Sequence, residues 1–399
     1  MKFAHLADCH IGGWREEELR GLSVECFRKA IDIAIEENVG FVLICGDLFN
    51  TSLPQIDLIK ETAAILNNLK ERDINVYIIP GSHDYSPSGK TMLDVLEKAG
   101  LVNNVMKFND NQLIFTEDKI GVKITGLYGR RSGLERIDYA SLEKAHLEKE
   151  PGFKIFMFHT ALEEFKPKDL DAVEGESYTN LPKGFQYYAG GHVHYIFDIK
   201  KEGFGLIVYP GPTFPNSFKE LEELKHGYCC IVDDKLNLRR IPIKLKDIES
   251  FQIDVTNMYP DEARQHIKNE INKKNIKNKI VTLRVFGQLS SGKVSDINFR
   301  DIIDNLDCYI CIRNINKLST KEFEEIAISS KNVDQIEALL IKEHLGQFEI
   351  DDEEKVTKKL MTTFSEEKHE GEKNFDFEKR IIENAFKTLK NENKQDHFR

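Results

Sequence analysis

Asp8-Cys9-His10, Gly46-Asp47, Gly81-Ser82-His83-Asp84, His159 and Gly191-His192-Val193-His194 are the residues whose types and spacing could do chemistry. Each cluster of Asp and His stands at the end of an apolar run: FAHLA, FVLIC, VYIIP, KIFMF and QYYAG. A strand that ends in ligands is how a rigid sheet holds metals at its rim. Asp8 and His10 are two residues apart, as are His192 and His194. In an extended segment that spacing sends both side chains to the same side. Mixed carboxylate and imidazole donors suit manganese, iron or zinc better than magnesium or calcium. The donors outnumber the needs of one ion, which predicts a two-metal hydrolytic centre. Taken singly, each block has an ordinary reading as a hydrogen-bonded histidine or a Gly-Asp turn. Their occurrence together, each after a strand, is what points to a site.

The elements that must position these residues are legible around them. Up to about residue 215 strand-like runs alternate with helical patterns, which predicts α/β. GFVLICG, NVYIIPG, GVKITGL, KIFMFH, FQYYAGG and GLIVYPG read as strands, and LSVECFRKAIDIAIEEN and LIKETAAILNNLKERD as helices. HGYCCIVDD and NLRRIPIKL form a pair joined at an Asp-rich turn, at the edge of the same core. Hairpin-like pairs intrude from about residue 112, so the sheets are expected to be mixed. Beyond about residue 248, FQIDVT, PDEARQHIKNEIN, KIVTLRVFG, DINFRDIIDNL and CYICIRN read as a small α+β module, with GQLSSGK as a loop inside it. From about residue 317 the chain becomes charged and helical. Val333, Ile336, Leu340 and Leu345 mark one amphipathic stretch, and Val356, Leu360, Met361 and Phe364 a second. Phe377, Ile381, Ala385, Phe386 and Leu389 mark a third.

With 399 residues the chain has room for two or three domains. Hydrophobic residues make up 40% and charged residues 31%, as in a globular protein in water. No apolar run approaches the roughly 20 residues of a membrane span. MKFAHLADCHIGG is a core strand rather than a signal peptide, so an intracellular, cytoplasmic protein is expected. The seven cysteines are scattered, and Cys308 and Cys311 lie in a strand-like run, which favours buried small hydrophobes over a zinc knuckle or redox pair. A formal net charge of −11 argues against a general nucleic-acid coat and leaves DNA contact to local patches and to the metals. There is no G-x-x-x-x-G-K-[ST] loop, hence no Walker nucleotide site.

At D-x-H-x-G, GDLFN, G-x-HD and GHVH the chain resembles the calcineurin-like metallophosphoesterases. More narrowly, it is similar to the double-strand-break repair nucleases called SbcD in bacteria and meiotic recombination eleven in archaea and eukaryotes. GDLFN followed by Thr-Ser-x-Pro, and the order of catalytic part, small module and helical tail, carry that narrower likeness. The resemblance implies an α/β fold (α+β overall) of two mixed β-sheets sandwiched together and flanked by helices, with a small α+β capping domain and a helical C-terminal tail. The domains would be residues 1–247, 248–316 and 317–399. It implies that Asp8, His10, Asp47 and His194 hold one metal, and that Asp47, His159 and His192 hold the other, with Asp47 bridging. His83 matches the catalytic histidine that supports the leaving group or transition state, with Asp84 expected to orient it. The family's usual block is GNHD, whose Asn is a ligand of the second metal. Ser82 stands there in this chain and could bind directly, through water or not at all. Asn50 is near enough in sequence to be considered as a substitute.

The implied activity is manganese-dependent exonuclease and endonuclease cleavage of DNA, using two divalent ions. A small-molecule phosphodiesterase or phosphatase is the alternative enzyme, and a DNA-end scaffold with a weakened metal site is the non-enzymatic one. The implied partners are DNA, a second copy of the chain and an SMC-like coiled-coil ATPase of the SbcC type, with no membrane. Trp14, Arg15, Lys90, Arg130, Arg131 and Arg136 could meet DNA, or be ordinary surface charges and a gap-filling ring. Ile56, Ile59, Leu93 and Leu96 could form the dimer face or plain core. Phe377, Ile381, Phe386 and Leu389 could dock on the ATPase or pack back on the body.

Overall fold

The computed structural model describes residues 1–86, 91–130, 135–167, 175–321, 341, 345, 352–366, 368–369 and 374–392. The chain divides into two units, Met1–Ile248 and Glu249–Arg399.

In chain order, the strands of the first unit are β1 (Lys2–Leu6), β2 (Phe41–Cys45), β3 (Asn75–Ile79), β4 (Asn103–Asn104), β5 (Phe108–Asn109), β6 (Gln112–Leu113), β7 (Thr116–Glu117), β8 (Lys123–Gly126), β9 (Lys154–His159), β10 (Tyr187–Gly191), β11 (Phe197–Lys201), β12 (Gly205–Tyr209), β13 (Gly227–Asp233) and β14 (Leu238–Ile243). They build two six-stranded sheets, ordered β14-β13-β1-β2-β3-β4 and β11-β12-β10-β9-β8-β7. In the first, β1 to β4 run parallel while β13 and β14 are antiparallel. In the second, β8, β9, β10 and β12 are parallel between antiparallel edges. The sheets are therefore mixed, and the β13–β14 hairpin edges the first of them, as its sequence suggested. The edge strand β11 has an alternating exposure pattern and was not recognised in the sequence.

The two sheets face each other. Phe3, Phe41, Leu43, Tyr77 and Ile79 of one share a core with Ile155, Met157, Tyr187, Ala189 and Val208 of the other. Every residue of FVLIC is buried because helices cover the sheet's far side. The helices are α1 (Glu17–Glu36), α2 (Ile56–Lys70), α3 (Met92–Lys98), α4 (Glu135–Ser141), α5 (Ala145–Lys149) and α6 (Phe218–Glu223). In α1 the buried Leu19, Leu22, Cys26, Phe27, Ala30 and Ile33 form one stripe at helical spacing. Asn38, at φ 54°, takes the left-handed turn that ends it. Truncating a fully buried side chain of this core to alanine should cost about 2–5 kcal/mol.

His5 lies in this core. Its Nε2–H donates to the Gly190 carbonyl at 3.2 Å, and its Nδ1 accepts from the Tyr187 hydroxyl at 2.9 Å. Burial pushes its pKa down from 6.5 to about 3, so the folded protein holds it neutral. Below pH 6.5 the unfolded chain takes up a proton that the folded one refuses, and stability falls as pH falls. Between pH 7 and 5 this amounts to about 2 kcal/mol. With chelator present, His5→Gln should lose correspondingly less stability over that interval in denaturant titrations. Equal losses in the two proteins would place the titration elsewhere.

The second unit has a three-stranded sheet, β15 (Ile248–Asp254), β16 (Ile280–Leu289) and β17 (Ile310–Thr320), with α7 (Pro260–Asn272) and α8 (Phe299–Ile303). Two expectations need correction. GQLSSGK is not wholly a loop, since Gly287, Gln288 and Leu289 continue β16 opposite Leu318, Ser319 and Thr320. For the same reason β17 runs past residue 316. Ladder hydrogen bonding overrides the loop-like composition. Two further helices, α9 (Glu353–Phe364) and α10 (Asn374–Glu392), pack on each other. Val356, Ile381 and Ala385 are buried, whereas Phe364 and Phe386 are exposed, and Phe377 and Leu389 are half-buried. Val333, Ile336 and Leu340 lie outside the described residues. No described helix is long and apolar enough to cross a membrane.

Candidate metal centre

The histidines and carboxylates singled out by type gather where the parallel strands end. Asp8 and His10 follow β1, Asp47 follows β2, Ser82 and His83 follow β3, His159 closes β9, and His192 follows β10. Asp8, His10, Asp47 and His159 are all buried. Three groups bring ligand atoms within 4.8 Å of one another: Asp8, His10 and His194; His10, Asp47 and His83; and Asp8, Asp47 and His159. The ring of His192 lies 5.1 Å from that of His159, and its backbone N–H donates to Asp8 Oδ1 at 2.8 Å.

The backbone achieves this differently from the extended spacing that the sequence suggested. Asp8, His10, Asp47 and His192 have φ of 52°, 42°, 51° and 91°. Left-handed turns, not a strand's pleat, bring Asp8 and His10 together, and non-glycine residues adopt them at a cost of about 1–3 kcal/mol each. Gly46 completes one turn at φ 83°, and a Cβ there would lie 2.1 Å from His159 Nδ1. Gly81 is equally constrained, since a Cβ there would lie 2.2 Å from Asp47 Oδ1.

Four imidazoles are anchored through Nδ1, which leaves Nε2 for the centre. His83 Nδ1–H donates to the Asn50 carbonyl at 2.7 Å, and His159 Nδ1–H to the Cys45 carbonyl at 2.8 Å. His10 Nδ1 meets Asn50 Oδ1 at 3.2 Å, and His194 Nδ1 meets Glu220 Oε1 at 3.1 Å. His10 Nε2 and His194 Nε2 face each other at 3.0 Å. His159 Nε2 is 3.2 Å from Asp47 Oδ2 yet makes no hydrogen bond, and the buried Asp8 Oδ2 is likewise unpartnered. Imidazole nitrogens converging on a buried carboxylate oxygen that has no hydrogen bond are what a cation would satisfy. The donor set fits divalent ions.

The electrostatics agree. Burial alone would raise the Asp47 pKa, but the imidazoles of His159, His10 and His83 outweigh it and hold the carboxyl well below its ordinary range. Burial raises Asp8 to about 6. Burial would lower His159 and His194, yet Asp47 beside the first and Glu220 beside the second raise both to about 9. His10 and His192 are pushed down to about 3, chiefly by burial. Asp47 and Glu220 thus draw positive charge onto His159 and His194, while burial keeps His10 and His192 neutral.

Several expectations change. Asp84 does not orient His83. Its carboxylate accepts from the backbone N–H groups of Leu48, Phe49 and Gly81, at 3.2, 3.2 and 3.0 Å, and braces one loop on the other. Asn50 orients His83 instead, and its side chain is committed to His10 rather than standing in for Ser82. Ser82 itself is buried, with Oγ 3.5 Å from Asp47 Oδ2. If an oxygen at position 82 ligates an ion, Ser82→Asn should tighten divalent-ion binding about tenfold by calorimetry. Unchanged affinity would remove position 82 from the ligand set.

Trp14 fills a gap: it is 9% exposed and donates from Nε1 to the Pro215 carbonyl at 2.8 Å, so no face is free to stack on a base. Arg15 is exposed. Arg130 is paired with Asp138 at 3.3 Å and lies over Tyr128, a structural setting. Lys90 and Arg131 lie outside the described residues. Leu93 and Leu96 are buried, because α3 turns that face inward, and so cannot form an exposed dimer face; Ile56 is exposed and Ile59 half-buried. Sequence reasoning missed the anchoring roles of Asn50, Glu220 and the Cys45 carbonyl. Glu220 is 26 positions from His194, on α6, and nothing in its local pattern marks it.

Residues 1–196 match the family model for calcineurin-like phosphoesterases. With the metal-fitting centre just described, this part of the chain is a calcineurin-like phosphoesterase domain, and the protein is a metal-dependent phosphoesterase. Within that class it is homologous to archaeal proteins named DNA double-strand break repair protein Mre11. The one from Archaeoglobus fulgidus is 26% identical over 88% of this chain and 79% of its own length. That of Methanococcus maripaludis is 29% identical over 77% of this chain and 79% of its own. That of Methanocaldococcus jannaschii is 26% identical over 87% and 90%.

Proposed function

We propose that this protein is a manganese-dependent DNA nuclease, an exonuclease on duplex ends and an endonuclease on single strands, that processes double-strand breaks in the cytoplasm. It would act as a homodimer with an SMC-like coiled-coil ATPase of the SbcC type, for which α10 is the candidate docking helix. The relatives' names support the DNA substrate, and the mixed donors support manganese. Asp8, His10, Asp47 and His194 would hold one ion, and Asp47, His159, His192 and Ser82 the other. The observation that carries the two-ion reading is a shared oxygen: Asp47 Oδ2 lies 3.6 Å from His10 Nε2 and 3.2 Å from His159 Nε2.

Two bound ions supply an activated water nucleophile and neutralise charge gathering on the phosphate. The protein's own groups do the rest. Asn50 and Glu220 fix the tautomers of His10 and His194, so that Nε2 is the donor atom. Asp84 ties the Asp47 loop to the His83 loop. His83, whose Nδ1–H is held by the Asn50 carbonyl, would in its imidazolium form carry a second proton on Nε2 to transfer or hydrogen-bond to the departing oxygen.

The test is digestion of end-labelled duplex DNA with manganese, beside a chromogenic phosphodiester. Nucleotide-sized products from DNA support the nuclease. Turnover of the chromogenic compound alone would move the protein to small-molecule phosphodiesters, and turnover of neither would favour a scaffold.

A further inference from the structure

A cavity of about 160 Å³ opens beside the centre, between the loop after β1, the first turn of α1 and the loop leading into α2. Its lining includes Ile11, Arg20, Asn50, Thr51 and Gln55, and no acidic residue. Arg20 is its one charged group. That side chain is half-buried, and its guanidinium has no hydrogen bond or ion pair among the described residues. The wall is rigid: Ile11 N–H donates to the Leu48 carbonyl at 3.0 Å, and Asn50 N–H to the Ile11 carbonyl at 3.2 Å. Asn50 belongs to both places. It lines the cavity and holds His10 and His83 in the centre.

We infer that this cavity is a phosphate subsite, in which Arg20 binds a backbone phosphate flanking the one being cleaved. The inference rests on the nuclease reading. A guanidinium presents a fork of N–H donors that matches phosphate oxygens, and Asn50, Thr51 and Gln55 add neutral polar atoms around it. In a chain of net charge −11, an uncompensated cation beside the centre is where a polyanion would be held. Being remote from the reacting phosphorus, the contact adds equally to ground-state and transition-state binding. It therefore acts on KM rather than on kcat.

The experiment compares wild type, Arg20→Ala and Arg20→Lys on a short single-stranded oligonucleotide and on bis(p-nitrophenyl) phosphate, which has no flanking phosphate. With the oligonucleotide, Arg20→Ala should raise KM about tenfold at unchanged kcat. It should also lower the slope of log KM against log salt by about 1. Arg20→Lys should recover much of the loss, and the chromogenic diester should be turned over alike by all three. An unchanged oligonucleotide KM in Arg20→Ala, or equal losses on both substrates, overturns the subsite while leaving the nuclease intact. Wild-type turnover of the chromogenic diester without cleavage of the oligonucleotide would overturn the nuclease reading, and the subsite with it.

Discussion

His83→Leu should keep its divalent ions and lose about 10²–10⁴-fold in phosphodiester cleavage, the usual contribution of a positioned general acid. The main anchor of this loop is the His83 backbone N–H, which donates to Asp47 Oδ1 at 2.8 Å and survives the substitution. Asp84 also continues to brace the loop. What is lost is an imidazole edge-on to His10, ring centres 4.8 Å apart, with Nδ1 tied to Asn50. Metal stoichiometry measured beside the rate decides the matter. His83 also falls within one of the groups able to ligate an ion. Loss of an ion together with activity would make it a ligand instead of the leaving-group acid.

Asp47→Ala should be more severe. On the proposed two-ion reading this carboxylate serves both halves of the centre, so both ions should bind poorly and cleavage should fall by more than about 10⁴-fold, nucleophile activation and charge neutralisation failing together. The metal-free protein should also be destabilised, by about 3 kcal/mol, because buried His159 loses its counter-charge and the His83 N–H its acceptor. Calorimetry and denaturant titration read the two effects separately. One ion retained at full affinity would refute the shared-oxygen reading.

The strands and the first layer of the centre were legible in the sequence because both are local signals. FVLIC and KIFMF announce strands buried on both faces, and Asp and His at their ends announce ligands. What was not legible depends on pairs brought together by the fold. The tautomer of His194 is set by Glu220 on another element, and that of His159 by the backbone carbonyl of Cys45, an atom every residue has. The inward face of α3 is another case: Leu93, Leu96 and the exposed Val95 are equally apolar, and only packing distinguishes them. The left-handed turns at Asp8, His10 and Asp47 were hidden by an assumption of extended geometry. Asp and Asn adopt such turns more readily than most residues, and that was the available signal.

The parallel run β1-β2-β3 has a consequence for how this centre can vary. Neighbouring strands are spaced by their backbone hydrogen bonds at roughly 4.8 Å, whatever side chains they carry. Asp8, Asp47 and His83 are mounted at the tips of three successive strands, so the ladder serves as a ruler beneath them. A substitution can exchange one donor for another, but it cannot lengthen the ruler. Drift in such a centre should change which ion is preferred and how tightly it is held, while the spacing between anchor points stays fixed by the main chain.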